Sequence, residues 1–292
     1  MYHLDQFQEY LLKERRYSTH TCTSYLSDVT YFWQFVGEEI QCQSVDQKLV
    51  RRWIAFLSKE GLNHKTINRK ISSLKSYFKF LYITKTIEKF PLDGIRNLKT
   101  EKKIQIPFSV DEMKEVTRDQ FSKDYDGTTE YICVTLFYNL GVRKSELIDL
   151  KLTDYSGNTF RIMGKGSKER IVPVSDKLSV ILDEYLIQRK QIQTEKDKDF
   201  FLVKNAQKLN QTFVYRLINN YFRGITSKEK RSPHILRHSF ASHLIQNGAE
   251  INAVKELMGH ASLSSTQVYV NSNIEELKKV YQHTHPRTKK KV

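Results

Sequence analysis

The stretch from residue 231 to residue 244 reads RSPHILRHSFASHL and begins with the features of a helix start. Ser232 is a typical helix N-cap and Pro233 suits the first helical position, so a helix is predicted from here. His234 then lies in the first turn, and Arg237 follows three residues later on the same face. The free N–H groups and the dipole at a helix N-terminus attract phosphate. An arginine fork and a histidine at that place therefore predict a phosphate site with a proton carrier.

The two histidines of this stretch also raise the alternative of a zinc site. His234 and His238 are four residues apart, as in the HExxH motif, but the residue after His234 is Ile235 rather than glutamate. No third ligand lies close in sequence. A third alternative is that both histidines simply pack in the helix. The sequence favours phosphate over metal.

Composition indicates a folded protein and favours a polyanionic partner over a merely basic surface. Of the 292 residues, 39% are hydrophobic, which is enough for packed cores rather than disorder. The 48 Lys and Arg residues exceed the 33 Asp and Glu residues, and the formal net charge is +15. Such an excess favours nucleic acid as the partner, with an anionic membrane surface as the second alternative.

Cysteine usage and apolar runs predict the compartment. Cys22, Cys42 and Cys133 are odd in number, widely spaced and form no CxxC pair, which argues against a disulfide framework or structural zinc. The N-terminus lacks the apolar core of a signal peptide. The most apolar run, residues 131–140, is shorter than the roughly 20 residues that span a bilayer. We therefore expect a soluble, cytoplasmic protein.

The N-terminal part of the chain reads as a helical bundle. Ser18 is a predicted N-cap, residues 45–61 form a predicted helix that ends at Gly61, and residues 65–82 form the next one. The apolar stripe of that last helix comprises Ile67, Ile71, Leu74, Phe78 and Leu81. Its other face combines basic residues with Ser72, Ser73, Ser76 and Tyr77. That face is either solvated or suited to phosphate contacts.

The helical pattern breaks over residues 88–106, where prolines, a glycine and charges predict a linker. The chain is therefore expected to form a domain over residues 1–87 and a second domain over residues 107–292. The second domain is again helical, except that residues 158–174 read as a β-hairpin around a GKGSK turn. Lys165 lies in that turn, which lacks the spacing of a nucleotide-binding loop. It is either solvent-exposed or reaches into a groove as a proton donor.

Two further stretches contain residues that could act together with Arg237. GVRKSELIDL (141–150) places Arg143 after a glycine at a helix start, and Glu146, three residues on, could orient it. The alternative is a surface arginine. LMGHASLSSTQVYV (257–270) contains His260 and, nine residues later, Tyr269. Neither residue indicates a site by itself.

Taken in order, these residues resemble one family, the tyrosine recombinases or phage-type integrases. That family carries Arg, then Lys on a β-hairpin, then His-x-x-Arg, then His, then Tyr. The corresponding residues here are Arg143, Lys165, His234, Arg237, His260 and Tyr269. The helices of the N-terminal half also resemble the family's core-binding domain, so the resemblance covers nearly the whole chain. The compact size and the closing HPR (285–287) look most like the Xer branch, from which Val270-Asn271 departs.

The resemblance implies a fold and a chemistry. The fold would be mainly α with a small antiparallel β-sheet, a two-domain clamp on double-stranded DNA with an N-terminal helical bundle and a catalytic domain. Tyr269 would attack a phosphodiester and form a 3′-phosphotyrosine. Arg143, Arg237 and His260 would stabilise the transition state, with His234 as general base and Lys165 as general acid. Neither a metal nor ATP nor another cofactor would be needed.

The resemblance also implies partners and leaves three functions open. Self-assembly, or assembly with a related recombinase, would give a tetramer on two DNA sites. Strand exchange would pass through a Holliday junction as intermediate. An accessory activator is a further possible partner. The function would be Xer-like chromosome-dimer resolution or integration of a mobile element. A non-catalytic DNA-binding protein of the same fold is the third alternative, against which the complete set of six residues argues.

The C-terminal residues 272–282 predict one more helix. Ser272 and Glu275 suggest a capping box, and an apolar stripe comprises Ile274, Leu277 and Tyr281. This stripe either packs on its own domain or, as in the resembled family, docks on a neighbouring protomer. The second alternative is the one that the sequence analysis favours.

Overall fold

The computed structural model describes residues 3–37, 39–101, 105–164, 168–192, 194, 196–259 and 274–287. The chain divides into two compact units, Met1–Lys103 and Ile104–Val292. Both are mainly helical, which confirms the predicted fold class. Within the described ranges, no helix combines the length and apolar character needed to cross a bilayer.

The first unit is a helical bundle whose helices begin at side-chain caps. Ser18, Asp46 and Asn63 each accept a hydrogen bond from a backbone N–H three residues on, which satisfies one free donor of the first turn. The predicted cap at Ser18 is thus confirmed. The elements are α1 (Leu4–Glu9), a π-helical turn (Tyr10–Glu14), α2 (Thr19–Val36), a 3-10 turn (Cys42–Ser44), α3 (Gln47–Lys59) and α4 (His64–Ile83).

The core of this unit lies between α2, α3 and α4. All five members of the predicted α4 stripe are fully buried, and they pack with Phe32 and Trp53 from the neighbouring helices. The ring of Phe32 meets that of Trp53 edge to face, with centroids 5.1 Å apart. The periodicity of α4 therefore predicted its buried face correctly.

The opposite face of α4 differs from the prediction at two residues. Ser73 and Tyr77 are fully buried, so the interpretation of these two as phosphate contacts is wrong. Tyr77 packs its ring edge to face against that of Phe7, with centroids 5.3 Å apart. Ser73 is buried beside Asp28, a buried carboxylate on α2. Asp28 accepts hydrogen bonds from Ser73 Oγ at 2.8 Å, Lys70 Nζ at 3.0 Å and the guanidinium of Arg69. Part of the basic face is thus held inside the unit, because a buried carboxylate needs partners.

Non-helical chain follows α4 and packs against the same unit. Leu92 and Ile95 lie in its hydrophobic core. Lys75 Nζ donates to the carbonyl of Ile95 at 2.7 Å, and Asn68 makes two hydrogen bonds with the main chain of Leu98. The first part of the segment predicted as a linker is therefore fixed to α4.

The second unit surrounds the helix Tyr125–Leu140, which is buried along most of its length. A second helix, Pro233–Gln246, packs against it and against the helices Gln211–Arg223 and Ile251–Met258. The elements are α5 (Val110–Lys114), a 3-10 turn (Arg118–Gln120), α6 (Tyr125–Leu140), α7 (Lys144–Asp149), a 3-10 turn (Leu152–Asp154), β1 (Thr159–Met163), β2 (Glu169–Pro173), α8 (Asp176–Gln191), β3 (Val203–Lys204), β4 (Gln207–Lys208), α9 (Gln211–Arg223), α10 (Pro233–Gln246), α11 (Ile251–Met258) and α12 (Ile274–Thr284).

The predicted hairpin is confirmed, and a second one is present. β1 and β2 pair antiparallel, from Thr159 opposite Pro173 to Met163 opposite Glu169. β3 and β4 form a two-residue antiparallel pair that the sequence analysis did not predict. Its turn residues Asn205 and Ala206 have φ of 50° and 56°. Two-residue turns of this kind usually contain Asn-Gly. Here alanine takes the place of glycine, so the usual sequence signal is absent.

The C-terminal helix packs on its own unit. Tyr281 is fully buried in the core of the second unit, and its hydroxyl donates to the carbonyl of Asn139 at 3.1 Å. Ser272 and the side chains of Ile274, Glu275 and Leu277 lie outside the described part of the chain. For Tyr281, the favoured expectation of an exposed stripe that docks on a neighbouring protomer is wrong, because its side chain lies in the core of its own unit. Its ring also stacks on His285 at a centroid distance of 4.9 Å.

The buried His285 makes the stability of this unit dependent on pH. Its Nε2 donates to the carbonyl of Tyr138 at 3.2 Å, and its Nδ1 accepts from the backbone N–H of Arg287. Burial, together with the nearby charges of Arg287 and His243, lowers the pKa of His285 to about 3, although the hydrogen bond to the Tyr138 carbonyl opposes this shift. A second proton would need Nδ1, which is already an acceptor. The folded state therefore holds His285 neutral.

We expect the second unit to lose stability as the pH falls below 6.5, the usual pKa of histidine in the unfolded chain. The folded pKa is lower, so the unfolded state binds more protons, and at pH 5 the loss is about 2 kcal/mol. The difference between the free energies of unfolding in urea at pH 7.5 and at pH 5 measures this loss. His285→Gln should reduce this dependence, whereas His283→Gln, on the exposed face of α12, should keep it. Equal pH dependence in wild type and His285→Gln would contradict the assignment.

Candidate active site

The start of α10 confirms the helix predicted from Ser232 and Pro233, with one difference. Pro233 occupies the first turn and Ser232 the N-cap position, but the Ser232 side chain makes no capping hydrogen bond. Its backbone carbonyl instead accepts the N–H of Ile235 at 2.9 Å. His234 is exposed on this first turn, whereas the side chain of Arg237 is only 7% exposed. One turn of helix thus presents a histidine to solvent and an arginine to the interior.

Arg143 lies at the N-cap position of α7, directly after the end of α6. Gly141 ends α6 with a left-handed φ of 58°, and an added Cβ there would fall 2.3 Å from the ring of Phe240. Glycine is therefore required both by the turn and by the close approach of α10. This junction brings the chain of Arg143 next to α10, because Arg237 Nη1 donates to the carbonyl of Gly141 at 2.6 Å.

The carboxylate of Glu146 brings the arginines together. Arg143 Nη1 donates to its Oε1 at 2.6 Å, and the Arg143 backbone N–H donates to its Oε2 at 2.8 Å. The predicted orientation of Arg143 by Glu146 is thus observed. Arg237 Nη1 lies 3.6 Å from Oε2. A third arginine, Arg170 of β2, holds both oxygens, Oε2 from Nη2 at 2.7 Å and Oε1 from Nη1 at 3.2 Å.

The same three arginines also bind the end of α11. Arg170 Nε donates to the carbonyl of Leu257 at 2.8 Å, and Arg237 Nη2 donates to that of Met258 at 2.5 Å. Arg143 Nη2 donates to the carbonyl of Gly259 at 3.2 Å. These carbonyls have no partner inside the helix and form the negative end of its dipole, so cations are stabilising there.

The charges of this cluster do not cancel. Among the described residues, three guanidinium groups meet one carboxylate, so three positive charges and one negative charge leave +2. Burial raises the pKa of Glu146, but the hydrogen bonds and charges of Arg170 and Arg143 lower it to about 2, so the carboxylate stays ionised. Burial and the nearby Arg143 lower the pKa of Arg237 to about 10. An anion would therefore be attracted to the cluster, and a cation repelled.

Arg170 is the residue of this cluster that the sequence analysis missed. The residues KER (168–170) look like an exposed, charged part of a hairpin. The alternation of side chains along β2, however, indicates that Arg170 faces the apolar side. Arg170 shares a face of β2 with Val172, which is fully buried, and it pairs with Ile162, also fully buried. A basic residue on the apolar face of a strand predicts a buried ionic partner.

Of the six predicted site residues, the structure brings Arg143 and Arg237 together and places His234 on the same helix as Arg237. Lys165, His260 and Tyr269 lie outside the described residues. Their described neighbours Gly164 and Gly259 flank the cluster. An added Cβ at Gly164 would lie 3.8 Å from Glu146 Oε1, and one at Gly259 would lie 3.0 Å from Arg170 Nη1.

The alternative of a zinc site at His234 and His238 gains no support from the described ranges. Both histidines are exposed. Among the residues that the structure describes, no group of three or more His, Cys, Asp or Glu side chains is placed to hold a metal ion. The arginine cluster offers donors and positive charge but only one carboxylate. Its chemistry is that of an oxyanion site, suited to carboxylate or phosphate.

Comparison with known proteins supports the same chemistry. Residues 119–276 match the model of the phage integrase family, and residues 4–85 match that of the phage integrase N-terminal SAM-like domain. The tyrosine recombinase XerC of Syntrophus aciditrophicus (strain SB) is 33% identical to this chain over 98% of each protein. The tyrosine recombinase XerD of Rickettsia prowazekii (strain Madrid E) is 34% identical over 97% of this chain and 96% of that protein.

Solved structures show the same fold. The XerH site-specific recombinase bound to its difH substrate, in a pre-cleavage complex, has a TM-score of 0.67 and 23% identity, over 95% of this chain and 84% of the XerH chain. The Tn1549 transposon integrase in complex with circular intermediate DNA has a TM-score of 0.67 and 19% identity, over 94% and 97%. The family matches cover both units, and the chain belongs to the phage integrase family, the tyrosine recombinases.

Proposed function

We propose that this protein is a site-specific DNA recombinase that cuts and rejoins DNA through a 3′-phosphotyrosine intermediate. The observation that carries the proposal is the convergence of Arg143 and Arg237 on the carboxylate of Glu146, with an excess of positive charge. A DNA phosphodiester is an anion of matching chemistry. The side chain of Arg143 is 34% exposed, so it can accept such a ligand from solvent.

The proposed reaction exchanges one phosphodiester for another. The hydroxyl oxygen of Tyr269 attacks the phosphorus, a new P–O bond forms to the tyrosine, and the bond to the 5′-oxygen breaks. His234 accepts the proton of the tyrosine hydroxyl, and Lys165 donates a proton to the leaving 5′-oxygen. The number of phosphoester bonds does not change. The 5′-hydroxyl of a partner duplex can therefore reverse the reaction without an energy source.

Electrostatic stabilisation is assigned to Arg143, Arg237 and His260. Negative charge builds up on the non-bridging oxygens as the phosphorus becomes five-coordinate. Guanidinium groups that are already fixed by Glu146 need no reorganisation at that moment, which is the main requirement of this kind of catalysis. The hydrogen bonds of Arg237 to two carbonyls fix its position before DNA arrives.

We further propose a DNA-binding domain over residues 1–87, a linker over residues 88–106 whose first part packs on that domain, and a catalytic domain over residues 107–292. The exposed basic residues of α4, such as Lys65 and Lys79, support DNA contact by the first domain. Assembly of four protomers on two DNA sites, with copies of itself or with a related recombinase, would bring two cleavage sites together in a Holliday junction.

Xer-like chromosome-dimer resolution is the favoured role, since the XerC and XerD proteins above match over nearly the whole chain. Integration of a mobile element is the alternative, because the likeness to the Tn1549 transposon integrase shows that the same fold serves such an enzyme. Sequencing the DNA that becomes covalently attached to the protein in cells would separate the two. Attachment at one chromosomal locus supports the first role, and attachment at the ends of a mobile element supports the second.

Tyr269→Phe removes one hydroxyl and little volume, so we expect normal folding and DNA binding without covalent attachment. A nicked substrate that loses a short strand on cleavage traps the covalent complex, which is measured on a denaturing gel. Tyr215→Phe, at a half-exposed tyrosine of α9, is the matched control and should react like the wild type. Covalent complex at the wild-type level with Tyr269→Phe would place the nucleophile elsewhere. Wild type that binds DNA without attachment would support the non-catalytic alternative.

Lys165→Ala should slow cleavage by roughly 10² to 10⁴, the usual contribution of a general acid, while DNA binding persists. A substrate with sulfur in place of the 5′-bridging oxygen loses its leaving group without that proton. We therefore expect this substrate to restore cleavage by Lys165→Ala.

Lys168→Ala alters a neighbouring exposed lysine of the same hairpin and serves as the control, with near wild-type rates on both substrates. If Lys165→Ala cuts the sulfur substrate as poorly as the oxygen substrate, Lys165 is not the acid. The comparison of the two substrates separates loss of proton donation from loss of folding, because misfolding would slow both equally.

A further inference from the structure

Arg170 contacts three parts of the second unit that hold proposed catalytic residues. Its guanidinium binds Glu146, which in turn holds Arg143 and lies near Arg237. Its Nε binds the carbonyl of Leu257, three residues before His260. It also lies near Gly164, the residue before Lys165, where an added Cβ would be 3.7 Å from Arg170 Nη1.

The burial of Arg170 separates its role from that of Arg143. The side chain of Arg170 is 8% exposed, against 34% for Arg143, and all three of its nitrogen atoms already donate to protein oxygens. A guanidinium so enclosed by its own chain is in poor position to take a DNA phosphate. Arg170 therefore acts on the reaction through the residues that it holds.

We infer that Arg170 is a positioning residue, which fixes Glu146 and the end of α11 so that Arg143 and Arg237 meet the scissile phosphate in one geometry. The inference rests on the proposed function and deepens it. Its basis is the fork geometry of arginine. Two parallel hydrogen bonds to Glu146 and a third to Leu257 need a planar group with donors on three nitrogens. Lysine, a single ammonium, cannot reach both partners.

Gly259 fits this arrangement. It ends α11 in the left-handed region with φ of 62°, and an added Cβ would come within 3.0 Å of Arg170 Nη1 and 3.1 Å of its Cδ. The close passage of the Arg170 side chain thus occupies the space where any other residue at position 259 would place its Cβ. The conformation of Gly259 at the end of α11 and the position of Arg170 therefore depend on each other.

Arg170→Lys tests the inference, because it retains the charge and loses the fork. We expect single-site DNA binding within about threefold of wild type and covalent complex formation slowed by about 10²-fold, as for a catalytic group displaced by about 1 Å. The control is Arg161→Lys, on the paired strand β1, whose side chain is 52% exposed and bonds to Asp154. This control should react at the wild-type rate.

A neutral substrate distinguishes positioning of the arginines from a general structural defect. Methylphosphonate at the scissile position replaces one charged non-bridging oxygen by a methyl group and so reduces the need for aligned cations. If Arg170 acts by placing Arg143 and Arg237, the ratio of wild-type to Arg170→Lys rates should fall from about 10² to below about 10 on this substrate. An unchanged ratio would overturn the inference, because a structural defect slows both substrates alike.

A double-mutant cycle with Glu146→Gln gives an independent measure. The two changes break the same contact, so the double variant should be only slightly slower than the slower single variant. Rates that multiply would show that Arg170 acts without Glu146. Arg170→Gln, which has no charge and keeps an amide, serves in both tests if Arg170→Lys proves unstable by thermal unfolding.

The controls also separate this inference from the proposed function. Wild type that forms no covalent complex would overturn the recombinase assignment, and with it the role of Arg170. Wild type that reacts, together with Arg170→Lys at the same rate on the natural phosphate, would overturn the role of Arg170 alone. A slow Arg170→Lys that recovers on methylphosphonate supports both.

Discussion

The carboxylate of Glu146 is the anion around which the site is organised. Arg143, Arg170 and Arg237 would repel one another without it, and a buried guanidinium without a partner costs several kcal/mol. One carboxylate holds the three in place but cannot neutralise them. The excess charge lies beside Arg143, the most exposed of the three side chains. The arrangement therefore combines fixed guanidinium groups with an excess of positive charge. Stabilisation of an anionic transition state requires both.

The end of α11 adds a second constraint on the same groups. Three consecutive carbonyls, from Leu257 to Gly259, each accept a hydrogen bond from a different arginine. Each arginine is thus held by a carboxylate and by main chain from a distant part of the sequence. Such double attachment restricts a long side chain to one rotamer, which lowers the entropy that binding a phosphate would otherwise cost. It also links the arginines to Gly259, the residue before His260 in the sequence.

The sequence predicted the parts of this site that depend on local spacing. Arg143 and Glu146 are three residues apart at a helix start, and this spacing brings their side chains together. His234 and Arg237 have the same spacing, but His234 faces solvent whereas Arg237 is buried. The sequence did not predict Arg170, whose partners are 24 and 87 residues away. Long-range pairing depends on how β2 packs against α7 and α11, and no local pattern contains that information. Strand alternation could only have indicated that Arg170 faces inward.

The same limit explains two further differences between sequence and structure. On α4, periodicity identified the apolar stripe, but Ser73 gained a buried position because Asp28, on another helix, required donors. On α12, the stripe spacing predicted that Tyr281 belongs to a buried face without specifying which molecule covers it. Its hydroxyl bonds to the carbonyl of Asn139 within the same unit. Periodicity determines which face of a helix is buried. Tertiary contacts determine which surface packs against that face, whether it belongs to the same unit or to a partner.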